Sequence, residues 1–253
     1  MDMVTIERAG EVATLTLSRP EQRNALDAEG ARAVAAAVKS ASDARAIILT
    51  GSGKAFCAGG DLDELERWSE SSPESIGATL YDSFQSMIRA IRASDAIVIA
   101  AINGAAVGAG MDLALACDLR IASEHARLGQ VWVRLGVIPG TGGAWLMPHL
   151  VGPTRAAELL LTGRLIDARE ALEIGLVNEV VAADELLPAA RALAARILEH
   201  PRDGVIANKR ALIAATASGL EAALAHGAEV QPGRFTSEEF KDALAQARAG
   251  KRG

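Results

Sequence analysis

The chain has 253 residues, half of them hydrophobic and 23% charged, with a net charge of −6. This is too apolar for a disordered chain and supplies core enough for one full domain with an appendage. The acidic balance leaves no footprint for nucleic acid and disfavours anionic membranes, while two cysteines, Cys57 and Cys117, set no disulfide framework and suit a reducing compartment.

Near the start, Val4 to Arg8 and Val12 to Leu17 alternate apolar with polar residues around Ala9-Gly10. That pattern predicts a hairpin rather than a signal peptide, and with it a cytoplasmic protein. An Asp27 N-cap opens a helix to Ser40, followed by a strand at Ala46 to Thr50 and a helix at Ser75 to Arg92. Strands at Ala96 to Ile102 and Leu119 to Ala122 precede helices at Pro153 to Leu161 and Asp167 to Glu173, then a strand at Leu176 to Val181. The uncharged run from Ala96 to Met111 is too short to span a bilayer and is broken by Gly104, Gly108 and Gly110, so no membrane association is expected. Strands alternating with helices indicate an α/β domain over residues 1–183. From Asp184 the pattern becomes Ala/Leu/Arg-rich helices without strands, giving a helical region over 184–253.

Two glycine-rich segments follow strands: Lys54-Ala-Phe-Cys-Ala-Gly-Gly-Asp61 and Asn103-Gly-Ala-Ala-Val-Gly-Ala-Gly-Met-Asp112. Turns of this kind let a ligand approach the backbone and can aim unpaired N–H groups at one oxygen, as an oxyanion hole does. Gly51-Ser-Gly-Lys54 is no phosphate loop, because Ile48 and Ala55 stand where that motif needs glycine and Ser/Thr. His125, His149, His200 and His226 lie far apart with no metal-ligand spacing, so no metal site is expected. No Gly-x-Ser-x-Gly elbow is present.

Together with Leu135-Gly-Val-Ile-Pro-Gly-Thr-Gly-Gly143 and the run from Leu161 to Val181, these segments resemble the enoyl-CoA hydratase/isomerase (crotonase) family from Val4 to about Lys251. The resemblance implies a crotonase-like spiral of ββα turns with a C-terminal helical trimerisation region, assembled as a homotrimer or a dimer of trimers. It implies an acyl-CoA thioester as substrate, with CoA carried on the substrate and no separate cofactor. On the matching positions, the oxyanion hole is made by the backbone N–H groups of Ala58 and Ala109. Gly59, Gly60 and Asp61 border the pantetheine and acyl path, Arg23 and Ala25 contact the CoA nucleotide, and Lys251 or Arg252 reaches the 3′-phosphate of a neighbouring subunit's CoA.

The acid–base positions depart from the family pattern. A family hydratase places glutamates where this chain has Asp112 and Trp132. Asp112 keeps a carboxylate about 1.5 Å further back, one carbon–carbon bond, whereas the Trp132 indole can only donate a hydrogen bond. Asp112 is the candidate base, with helix capping as its structural alternative, and Trp132 the candidate wall of the acyl pocket. Gly140 stands where some family isomerases carry an aspartate. The leading expectation is an enzyme that stabilises a thioester enolate, most simply an enoyl-CoA hydratase; enoyl-CoA isomerisation, acyl-CoA decarboxylation and a non-catalytic acyl-CoA scaffold are the alternatives.

Overall fold

A computed structural model describes residues 3–217, 220–235, 237–238 and 240–242. The chain divides into two compact units, Met1–Leu193 and Ala194–Gly253. In the first, β1 (Val4–Ala9) and β2 (Val12–Leu17) form the expected antiparallel hairpin, and α1 (Ala28–Ser40) starts where the Asp27 side chain accepts the Gly30 N–H at 2.7 Å. The strands β3 (Ala46–Gly51) and β4 (Ala55–Cys57) lead to α2 (Leu62–Ser69), α3 (Pro73–Asp82) and α4 (Phe84–Ala93). Next come β5 (Ile97–Ile102), β6 (Ala105–Val107) and α5 (Ala109–Ala116), then β7 (Leu119–Ser123), β8 (Arg127–Gly129) and α6 (Gly143–Thr162). The unit continues through β9 (Ile166–Asp167), α7 (Ala168–Glu173) and β10 (Glu179–Val181).

Two sheets result. One has the order β1-β2-β3-β5-β7-β10, parallel from β2 onward, and the other β4-β6-β8-β9. The consecutive pairs β3/β4, β5/β6 and β7/β8 each place one strand in each sheet before helical chain intervenes, which is the spiral of ββα turns. Every residue of β3 and β5 is buried, as continuous apolar runs in a covered parallel sheet should be.

Two segments differ from the periodicity. The helix expected from Ser75 to Arg92 is broken at Ser83 (φ −112°, ψ −84°) into α3, which buries nothing, and α4, which buries Phe84, Met87, Ile88 and Ile91 along one stripe. The strand expected from Leu176 begins only at Glu179, because the buried Arg120 takes the Leu176 carbonyl through Nε (2.8 Å) and the Asn178 Oδ1 through its backbone N–H (2.8 Å). The Pro153 helix is the second half of α6, set off by Gly152 at φ 75°.

The helices α8 (Leu186–Leu198), α9 (Arg202–Ala217) and α10 (Leu220–Phe235) follow. Among the described residues no helix is long and apolar enough to cross a membrane.

Candidate active site

The loop from Arg19 to Leu26 is fastened to the Cys57–Asp61 segment at several points. Asn24, buried at φ 56°, donates from Nδ2 to the carbonyls of Ser52 (2.9 Å) and Ala55 (2.8 Å). The Leu26 N–H donates to Gly59 and its carbonyl accepts from Asp61, both at 2.8 Å. A residue flanked in this way by one parallel partner turns its own N–H and C=O to the other side. Gly60 is that residue, and its N–H has no hydrogen-bond partner among the described residues.

Ala58, the expected donor, is not available. Its N–H is used at 3.0 Å by the carbonyl of Arg23, itself left-handed at φ 51°. The free donor of this segment is two residues on, at Gly60.

The second glycine segment meets the first by close backbone approach. A Cβ on Gly110 would overlap the Cys57 carbonyl, and one on Gly59 would come within 2.9 Å of the Val107 oxygen and 3.9 Å of the Ala109 nitrogen. Only glycine permits that contact. Gly108, at φ 55°, turns the chain into α5, and the Ala109 N–H at the first helical position is free among the described residues. Two unpaired donors, Gly60 and Ala109, therefore belong to apposed segments.

Asp112 stands one turn further along α5, a helix buried on every side. It does not cap that helix. Its Oδ1 accepts from Gln130 Nε2 at 2.6 Å, while Oδ2 has no partner among the described residues. Burial pushes the carboxyl up to about 6, opposed by the Gln130 amide, the Thr141 and Trp132 side chains and the Gly143 N–H at the start of α6. These groups lie near enough to favour the charge, yet neither Oδ2 nor the Trp132 Nε1 completes a hydrogen bond. A Cβ on Gly143 would overlap both Asp112 Oδ1 and Gln130 Nε2, so the absence of a side chain there lets α6 meet the carboxylate.

Trp132 opens a short 3-10 helix, Trp132–Leu135, and lays its indole across both glycine segments. A Cβ on Gly60 would lie 3.5 Å from its Cη2, and one on Gly108 would lie 3.4 Å from its Cε2. With Leu26, Leu65, Trp68, Leu80 and Phe84 it lines a small apolar cleft that also reaches Gly60, Asp61 and Thr141. Glu64 faces this cleft as well. Both its oxygens are engaged, by Trp68 Nε1 at 3.1 Å and Arg67 Nη2 at 2.9 Å.

The other expected positions lie further out. Asp61 caps α2 by accepting the Glu64 N–H at 3.1 Å. Arg23 is exposed and Ala25 half-buried, both on the fastened loop. Lys251 and Arg252 lie outside the described residues. The Gly140 carbonyl accepts from Gln85 Nε2 at 3.0 Å, and a Cβ there would meet Leu80 at 3.2 Å, at the edge of the cleft. Gln130 carries no motif that singled it out; its role emerges only from contact with Asp112.

Comparison with known proteins matches this architecture. The sequence fits the enoyl-CoA hydratase/isomerase family profile over residues 7–250. The chain belongs to the enoyl-CoA hydratase/isomerase family. It is 36% identical to a short-chain-enoyl-CoA hydratase of Clostridium acetobutylicum, covering 96% of this chain and 94% of that one. It is 37% identical to a crotonyl-CoA hydratase of Syntrophomonas wolfei, with 95% and 93% covered. The crystal structure of an enoyl-CoA hydratase from Bacillus anthracis superposes with a TM-score of 0.90 at 33% identity, over 99% and 96% of the two chains.

Proposed function

We propose that the protein is an enoyl-CoA hydratase that works with one carboxylate. The observation that carries this is the buried Asp112, whose unpartnered Oδ2 stands on the helix that begins at the free Ala109 N–H, beside the segment that holds the free Gly60 N–H. Two N–H groups on a thioester oxygen stabilise the enolate that forms when a nucleophile adds to the β-carbon, each worth about 3 kcal/mol in the transition state. A carboxyl titrating near 6 is ionised at neutral pH and returns a proton readily, as a general base and acid in turn must. The cleft lined by Trp132, Trp68 and Phe84 is the acyl pocket, and its narrowness favours a short acyl group.

The substrate brings its own CoA, and no further cofactor is used. Gly59, Gly60 and Asp61 flank the pantetheine, Arg23 and Ala25 the nucleotide, and Lys251 or Arg252 the 3′-phosphate of a neighbouring subunit's CoA. The exposed Leu135, Val137, Ile138, Trp145 and Leu161 support assembly as a homotrimer or dimer of trimers, and the two buried free cysteines suit a cytoplasmic setting. A second reading, migration of a double bond from the 3- to the 2-position, is favoured by the single carboxylate, since one base can lift a proton at one carbon and return it two carbons away.

Purified protein offered crotonyl-CoA, a 3-enoyl-CoA and methylmalonyl-CoA separates these chemistries. Formation of 3-hydroxybutyryl-CoA from the first is expected. Product from the 3-enoyl thioester alone would replace hydration by isomerisation, and from methylmalonyl-CoA alone by decarboxylation.

A further inference from the structure

Among the described residues, three buried side-chain polar atoms have no hydrogen-bond partner: Asp112 Oδ2, Gln130 Oε1 and Trp132 Nε1. They belong to Asp112 and to two side chains beside it. Asp112 and Gln130 are joined at 2.6 Å through their other atoms, and both press on the bare Cα of Gly143. Trp132 is close enough to Asp112 to influence its charge and packs over Gly108, four residues before it. The roles of the two amide atoms of Gln130 follow from chemistry: a carboxylate oxygen needs a donor, so Nε2 faces Asp112 and Oε1 is turned to the remaining side.

The orphans are two acceptors and one donor. Buried polar groups left in such a state cost on the order of 1–3 kcal/mol each, and interiors rarely tolerate them without a ligand. One water molecule is the complement of this set, because it gives two hydrogen bonds and takes one, and buried waters make about three. We propose that Asp112 Oδ2, Gln130 Oε1 and Trp132 Nε1 bind a single water and that this water is the one added to the enoyl thioester, with the Trp132 N–H fixing its oxygen in place of a second carboxylate.

The step rests on the hydratase reading and balances without an oxidant or reductant. The water oxygen bonds to the β-carbon, and the π pair moves to the thioester as an enolate. The proton released by the water goes to Asp112 Oδ2, and the same carboxyl then delivers it to the α-carbon. Trp132 transfers no proton at any stage; it positions the nucleophile from the donor side while Asp112 and Gln130 hold it from the acceptor side.

The test uses two reactions of the same site. Hydration of crotonyl-CoA needs the water; exchange of the α-hydrogens of butyryl-CoA into deuterium oxide needs the enolate hole and Asp112 but no added water. Trp132→Phe keeps an aromatic ring and deletes the N–H. Its hydration kcat is expected to fall at least tenfold further than its exchange rate, since loss of one hydrogen bond to a reacting atom corresponds to roughly 10–100-fold. Trp132→Leu, read in the same way, replaces it if the circular dichroism of the Phe variant departs from wild type. Equal falls in both reactions would make Trp132 a pocket wall only and overturn the proposal. Wild-type exchange without hydration would overturn it while leaving the enolate site standing, and wild-type protein that does neither would remove the acyl-CoA reading along with it.

Discussion

At the scale of single residues the chemistry turns on the burial of Asp112. Its carboxyl is raised from 3.8 to about 6, so between those values the folded protein keeps a proton that the unfolded chain releases. Asp112 therefore adds stability below about pH 4, and this is lost as pH rises to about 6, a change on the order of 3 kcal/mol. Asp112→Asn cannot ionise, so its stability relative to wild type should increase across that interval, measured by urea unfolding at about pH 3.5 and about pH 7.5, which bracket the window. A gap that does not change with pH would mean that the carboxyl is not raised by burial. Activity should move the other way: wild-type kcat/KM is expected to fall about tenfold per pH unit below about 6, and Asp112→Asn to lose 10²–10⁴-fold, roughly the range of a general base, at all pH values. Cys57 illustrates the same physics without a function. Burial pushes its thiol up to about 12, so iodoacetamide at neutral pH should leave it unlabelled until the protein is unfolded.

At the scale of elements, the hole depends on which N–H groups the segments leave unpaired. Both glycine segments were legible as a place where backbone meets ligand, but the donor within the first was not. That is settled by Leu26, more than thirty residues away, which bonds Gly59 and Asp61 and so frees Gly60, while Arg23 consumes Ala58. Local sequence carries no record of such a partner. The start of α5 gives the direct test. Proline is tolerated at a first helical position, where its missing N–H has no intrahelical partner, so Ala109→Pro should fold yet lose about 10²–10³-fold in turnover. Turnover within threefold of wild type would exclude the Ala109 donor. At the start of α6, Gly143→Ala should displace Asp112 and Gln130, costing about 1–3 kcal/mol in denaturant unfolding and depressing activity in step.

At the scale of the whole molecule, the large sheet could be read from sequence because its hairpin alternates and its central strands β3, β5 and β7 are mostly apolar runs of five or six residues. The second sheet could not. Its strands are Ala-Phe-Cys, Ala-Ala-Val, Arg-Leu-Gly and Ile-Asp, too short to show an alternation, and they exist because each ββα turn returns its chain beside the last. Gln130 was hidden for a related reason, since only the spiral brings the end of β8 against α5. The apolar side chains left outside, from Leu135 to Ile138 with Trp145 and Leu161, should be covered in solution, and light scattering is expected to give three or six times the 26.2 kDa chain mass. A monomer at micromolar concentration would contradict this.

The break at Ser83 has a consequence for how the cleft opens. Its outer wall is built by α2 and α3, which bury no residue fully, whereas α4 just beyond the break is anchored by Phe84, Met87 and Ile91. Detaching the wall therefore forfeits little of the free energy that holds the domain together, and the wall is expected to open independently of the anchor. Backbone amides of residues 62–82 should exchange with solvent deuterium orders of magnitude faster than those of 85–93, and acyl-CoA binding should slow the first group alone. Longer or branched acyl chains can then be admitted by changing residues on a surface the rest of the fold does not depend on.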